Sequence, residues 1–168
     1  MKKTLMIFMP IVLILLSSGA IGDEAVSTLA AFGEKSPSFE LTGIDGEKIS
    51  SDDFDGKVVL INFWATWCGP CRQEIPDFIE AYKEMKNKGL VIVGLAVADS
   101  ENRVKSFVER NKINYPIAMA SDDVVQAFSP GEFIPTTIVL DSEGNIIDKH
   151  VGTLDKAAIA RYLKEFKK

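Results

Sequence analysis

Residues 57–76 read KVVLINFWATWCGPCRQEIP. The first eight form a continuous apolar run, β-branched in the middle, as expected of a strand buried on both faces. The run leads through Trp64 and Trp67 into Cys68-Gly69-Pro70-Cys71, which hold both cysteines of a 168-residue chain. Beyond them Ile75, Phe78, Ile79, Tyr82 and Met85 recur at helical spacing and Gly89 follows, which predicts a helix from about Pro70 to Lys88. The sulfurs therefore fall where a buried strand enters a helix. In open α/β sheets that is the carboxyl end of a strand, where sites collect.

The flanking sequence supplies the rest of a sheet. SFELTGIDGEKIS (38–50) is two short runs around Asp45-Gly46, a hairpin signal. LVIVGLAVA (90–98) is a second buried strand, after which Ser100 is positioned to cap a helix carrying Val104, Phe107 and Val108 on one face. YPIAMA predicts a short strand, Asp122 to Phe128 a short helix, and TTIVLD (136–141) with NIIDKHVG (145–152) a second hairpin. Thr153 or Asp155 caps a last helix with Ile159, Tyr162, Leu163 and Phe166 inward. The order predicts a mixed α/β sheet with helices on both faces and its first two long strands parallel.

A chain of this length buries a full core and needs no disulfide to fold. A Cys68–Cys71 bridge would close a very short loop, the kind that restricts the unfolded chain least. The net charge is -5 with no basic cluster beyond the first residues, which argues against a nucleic-acid partner. Residues 1–22 begin with Lys2 and Lys3, continue as an apolar run from Leu5 to Leu16, and end in small residues. That is the layout of a secretory signal or, uncleaved, of a membrane anchor. Residues 23–34 read as a linker and 35–168 as the domain, working outside the cytoplasm in either case.

Cys68 lies at the start of the predicted helix, where free N–H groups and the positive end of the dipole favour an anion. A thiol with an ordinary pKa of about 8.5 is lowered at such sites and becomes a nucleophile near neutral pH. Cys71 at i+3 shares that helix face and sits deeper, so the pair can work in turn: Cys68 attacks a partner's disulfide and Cys71 resolves the mixed disulfide. Competing readings of the spacing lack their other parts. Zinc needs four ligands, and the chain adds only His150; covalent haem attachment needs His after the second Cys, where Arg72 stands. No metal and no cofactor beyond the Cys68–Cys71 disulfide is expected.

FWATWCGPC resembles the active-site segment of the thioredoxin superfamily, Pro76 matches the proline of its active-site helix, and FIPTTIVLDSEGNII resembles the segment carrying its cis-proline. With the N-terminal leader, an N-terminal β-hairpin and an inserted unit near 100–128, the chain is most similar to TlpA/ResA-type thiol-disulfide oxidoreductases over about residues 35–168. The resemblance implies a thioredoxin-like fold, a central mixed sheet flanked by helices. It implies a cis bond at Pro135, with the backbone of Ile134 pairing with an extended client segment. Trp67, Gly69 and Pro70 join Ile134 and Pro135 on the contact surface. Thioredoxin's buried Asp is replaced here by Asn62, which does not titrate. Glu74 matches a Glu that TlpA/ResA-type members carry, and it lies on the Cys68, Cys71, Phe78 face, where desolvation raises its pKa and fits it to take the Cys71 proton.

Gly-Pro between the cysteines, with no His there, implies a reductase. Its partners by resemblance are protein thiols and disulfides, apocytochromes c among them, and a thiol electron donor in the membrane. The expected location is the periplasm or the outer face of the cytoplasmic membrane. The alternatives are a general disulfide oxidant or isomerase, a non-catalytic binding module, and a peroxiredoxin-related antioxidant. The last requires P-x-x-x-T-x-x-C, whereas Thr66 stands two residues before Cys68.

Overall fold

A computed structural model describes residues 33–167. The proposed signal or anchor, residues 1–22, and most of the linker lie outside the described residues. The described residues form seven strands and four α-helices, in chain order β1 Glu40–Thr42, β2 Lys48–Ser50, β3 Val58–Trp64, α1 Gly69–Met85, β4 Leu90–Ala96, α2 Glu101–Asn111, β5 Ile117–Met119, α3 Asp122–Phe128, β6 Thr136–Leu140, β7 Ile146–Val151 and α4 Lys156–Phe166. Five strands form one mixed sheet in the order β5-β4-β3-β6-β7; β1 and β2 pair separately as the expected hairpin. This is the thioredoxin-like architecture.

The strand that carries the cysteines at its end is the middle of the sheet. Every residue of β3 is buried, because β4 runs parallel on one side and β6 antiparallel on the other, and both faces are covered. Leu60 and Trp64 face one core layer with Ile75 and Phe78 of α1, Val104 of α2 and Ile159 and Leu163 of α4. Val59, Ile61 and Phe63 face the other, with Phe39 and with Val124 and Phe128 of α3. The strict alternation of β3 side chains thus feeds two layers, which is why no polar period appears in its sequence.

α1 begins as expected with Gly69 and Pro70 in the first turn, where an N–H is not needed. Pro76 lies inside the helix and leaves the Arg72 carbonyl without its i+4 donor. The α-helix stops at Met85; residues 86–88 tighten to a 3-10 turn, and Gly89 takes the left-handed conformation at φ 95°. Asp155 caps α4, its carboxylate accepting from the Ala158 N–H at 2.7 Å. Ser100 is the N-cap residue of α2, as expected, but its side chain accepts no hydrogen bond from the first turn; its own N–H donates to Asp99 Oδ1 at 2.8 Å.

The inserted unit adds β5 at the sheet edge and α3 over the second core layer. Phe128 is its anchor: 2% exposed, with its ring 5.7 Å from Phe39 and 6.3 Å from Phe63. Phe39 in turn lies 6.1 Å from Phe54. The hairpin is tied to the same edge by the Ile44 N–H to the Ile117 carbonyl, 2.9 Å. Truncating Phe128→Ala empties the centre of this aromatic chain and is expected to cost about 3–5 kcal/mol. Denaturant unfolding of the oxidised protein measures it, and a loss under about 1 kcal/mol would show that α3 is not what closes this layer.

Candidate active site

Cys68 is the N-cap of α1 and is joined to Cys71 in a disulfide. The helix start dictates the asymmetry of the pair. Cys71 lies one turn in, fully buried; Cys68 stands at the mouth, 5% exposed, the sulfur an incoming thiol reaches first. The Cys71 N–H points at Cys68 Sγ at 3.1 Å. That donor belongs to the otherwise unsatisfied first turn, and in the reduced protein it favours the Cys68 thiolate.

Glu74 follows on the same face, 2% exposed beneath Cys71 in the helix. A carboxylate so placed must find donors or take a proton. It finds two: Asn62 Nδ2 donates to Oε1 at 2.9 Å and the Leu154 N–H donates to Oε2 at 3.0 Å. Asn62 also donates to Thr137 Oγ1 at 3.0 Å, its direct cross-strand neighbour on β6. Burial dominates and pushes the Glu74 carboxyl up to about 7, the bonds from Leu154 and Asn62 opposing it. Burial, with the Glu74 charge second, also pushes up the phenol of Tyr115, whose ring packs 6.1 Å from Phe78.

The Ile134–Pro135 bond is cis, as the resemblance implies. Pro135 is buried, and the Ile134 carbonyl oxygen lies 3.6 Å from Cys68 Sγ. Gly69 is half-buried and Pro70 exposed beside the outer sulfur. Trp64 is core, 2% exposed and packed 5.5 Å from Phe107, whereas Trp67 is 58% exposed. Every sequence-derived site residue therefore gathers around one disulfide. The other two large hydrophobic side chains exposed among the described residues converge there too. Phe133, 72% exposed, precedes Ile134, and Val151 pairs with Thr136, the residue after Pro135.

Sequence reasoning missed several residues that hold this site. Asp99 is one: its Oδ2 accepts from the Thr66 N–H at 2.8 Å and from Thr66 Oγ1 at 2.6 Å, while its Oδ1 accepts from Ser100 and from Arg103 Nε at 2.9 Å. Burial works to raise the Asp99 carboxyl, but these bonds prevail and hold it below the ordinary range. Beside it Ala98 adopts φ 48°, a rare conformation for a residue with a Cβ, and its carbonyl accepts from Trp67 Nε1 at 3.0 Å. The β4–α2 loop thus pins residues 66 and 67, the chain entering Cys68. Asn62 was visible as the one polar residue of β3; the Leu154 N–H, eighty residues from Glu74, had no local signal. Among the described residues no group of three or more His, Cys, Asp or Glu is arranged to hold a metal ion.

Comparison with known proteins agrees with this geometry. The sequence pattern of the AhpC/TSA family matches residues 32–149. The thiol-disulfide oxidoreductase ResA of Bacillus cereus is 33% identical over 98% of both chains. The thioredoxin-like protein YneN of Bacillus subtilis is 39% identical over 78% of both. A crystal structure of a thiol:disulfide interchange protein of the thioredoxin family from Chlorobium tepidum superposes with a TM-score of 0.78 at 36% identity, covering 82% of this chain and 99% of that one.

The buried carboxyl makes stability depend on pH in a defined direction. The folded state binds the Glu74 proton more tightly than the unfolded chain, whose ordinary value is 4.5. Its contribution is complete below about pH 4.5 and is lost as pH rises to about 7, a change of about 3 kcal/mol. Glu74→Gln should flatten the stability of the oxidised protein across this window, whatever offset it introduces. Urea unfolding at a series of pH values measures the slope; an unaltered slope would mean that Glu74 titrates normally.

Proposed function

This chain belongs to the AhpC/TSA family and is a ResA-type thiol-disulfide oxidoreductase with a Cys68/Cys71 pair, and from that premise we propose that it works outside the cytoplasm as a reductase of protein disulfides. The observation that carries the mechanism is the vertical order of three groups on one helix face: an outer sulfur facing an N–H, an inner sulfur fully buried, and a buried carboxyl whose pKa is about 7.

In the reduced protein Cys68 is the thiolate. It attacks one sulfur of a client disulfide; the Cys68–client bond forms, the client S–S bond breaks, and the released client thiolate takes a proton from water. Glu74, ionised, takes the Cys71 proton. The Cys71 thiolate attacks Cys68 Sγ, closing the internal disulfide and expelling the second client sulfur. Two electrons have passed to the client, and a dithiol donor restores the protein by the reverse sequence. Because the acceptor must be ionised, resolution quickens as pH rises through about 7.

Client binding in this reading uses Trp67, Gly69, Pro70, Ile134 and Pro135, with Phe133 added. The Ile134 carbonyl supplies a main-chain acceptor beside the sulfur, and the exposed aromatics give apolar area at its rim. The Gly69-Pro70 pair, without a His to stabilise the thiolate further, supports the reducing direction. The leader at residues 1–22, as signal or anchor, supports the outer face of the cytoplasmic membrane or the periplasm, and 35–168 is the working domain. Clients are protein thiols and disulfides, the haem-binding CxxCH of apocytochromes c among them, and the donor is a membrane dithiol. An antioxidant reading is disfavoured because Thr66 is two residues from Cys68 and its hydroxyl is committed to Asp99.

Three measurements check the proposal. Redox titration of the pair should give a midpoint close to that of thioredoxin, about -270 mV, and one close to DsbA, about -120 mV, would overturn the reducing direction. Cys71→Ser should freeze mixed disulfides through Cys68 that mass spectrometry identifies; none forming would remove Cys68 as the attacking sulfur. Phe133→Ser removes an exposed aromatic anchor worth about 1 kcal/mol, so kcat/KM for insulin should fall roughly fivefold. An unchanged value would take Phe133 out of the contact surface.

A further inference from the structure

The chain contains four arginines against many more lysines, and three of the four line a single cleft beside the disulfide. The cleft encloses about 590 Å³ between the start of α1 and the exposed face of α2. Arg103, Phe107 and Arg110 follow at i, i+4 and i+7 along α2, so they form one stripe. Arg72 comes from the first turn of α1, exposed where its neighbour Cys71 is buried. Thr66, two residues before Cys68, closes the near end. The remaining lining residues are serine and asparagine, and none of the described residues lining the cleft is acidic. Such a concentration runs against a protein of net charge -5.

The charges are also positioned. Asp99, itself outside the cleft, holds Arg103 by Nε at 2.9 Å and so fixes the plane of that guanidinium while leaving its two terminal nitrogens free of that contact. Asp99 offsets one of the three positive charges, and two remain. Planar, permanently charged guanidinium groups suit carboxylates in a bidentate arrangement. Sheet order places the cleft relative to the client site. β3 lies between β4 and β6; Ile134 and Pro135 lead into β6, whereas α2 follows β4. A client segment laid along Ile134 and crossing Cys68 therefore continues toward the arginines.

We propose that this cleft receives the carboxylates of an acidic segment flanking the reactive cysteine of the redox partner. The inference rests on the reading of Cys68 as the sulfur that joins the partner, and it adds the partner's chemistry: Asp or Glu within a few residues of the cysteine on one side. The acidic remainder of the protein repels such a segment elsewhere, so the cleft also orients it.

Single-turnover exchange with the full chain tests this. The protein is reduced with dithiothreitol, freed of it, and mixed with synthetic peptides that each contain one disulfide, flanked by Asp and Glu in one and by Lys in the other. The protein's own dithiol supplies both electrons: a Cys68–peptide bond forms as the peptide S–S breaks, Cys71 displaces the peptide, and a peptide dithiol leaves. At about 20 mM ionic strength the acidic peptide should react roughly tenfold faster, and the ratio should shrink by several-fold at about 300 mM. Arg72→Gln with Arg110→Gln should bring the ratio to about one, while Arg161→Gln, the arginine outside the cleft, should leave it near ten.

Equal rates for the two peptides in the parent overturn the cleft and leave the exchange reading standing; no exchange with either overturns both. An equal collapse in Arg161→Gln would reduce the effect to net charge and overturn it as well. Equal peptide rates, together with arginine-dependent binding to vesicles of phosphatidylglycerol in phosphatidylcholine, would make this a lipid-headgroup site instead.

Discussion

The burial of the Glu74 carboxyl constrains everything around it. An isolated carboxylate in an apolar layer costs several kcal/mol unless donors reach it or it holds its proton. Here both solutions are half used. Asn62 and the Leu154 N–H satisfy one lone pair on each oxygen, and desolvation still lifts the pKa to about 7. The residue is thereby held at the point where it changes charge near neutral pH, which is the property an acceptor for the inner sulfur needs. Fewer donors would leave it a permanent acid; more would leave it too weak a base.

That balance depends on distant parts of the chain. Asn62 comes from the central strand, Thr137 fixes the amide from β6, and Leu154 brings its N–H from the segment before α4. The outer sulfur is set by a separate apparatus. Asp99 and Ala98 in the β4–α2 loop hold Thr66 and Trp67, and the Ile134 carbonyl approaches from the other side. The two sulfurs are covalently adjacent yet supported by different elements, so their environments diverge. In the proposed cycle that divergence lets one act as the nucleophile and the other as the resolving sulfur.

Much of this was legible in the sequence because the signals were local. The unbroken apolar run of β3, Asp45-Gly46 in the hairpin, Pro70 at the start of α1 and Gly89 after it each act through neighbours a few residues away. The face shared by Cys68, Cys71, Glu74 and Phe78 follows from helical spacing alone. Ser100 holds the N-cap position its residue type suggests, but its hydroxyl makes no cap bond, and propensity ranks residue types without knowing which way a side chain has turned. Leu154, Phe133 and the arginine stripe were invisible for another reason. An N–H carries no sequence signature, and residues 72, 103 and 110 become neighbours only once α1 and α2 are set on the same side of the sheet.

The Thr66 hydroxyl is directed away from the two sulfurs. A peroxide-reducing cysteine needs a hydroxyl donor aimed at the reacting sulfur and oxygen; the candidate here, Thr66, gives its hydroxyl to Asp99 and so serves to hold the loop. The group adjoining the outer sulfur is instead a backbone carbonyl, which suits an incoming polypeptide N–H better than a peroxide. Around it the large apolar side chains exposed among the described residues, Trp67, Phe133 and Val151, lie together at the end of the sheet that bears the disulfide. Exposed apolar side chains grouped in this way suit contact with another polypeptide. Burial of the sulfurs and exposure of the surface around them thus act together. In the proposed reading, a chain lying across the rim brings its sulfur to Cys68, the outer of the two.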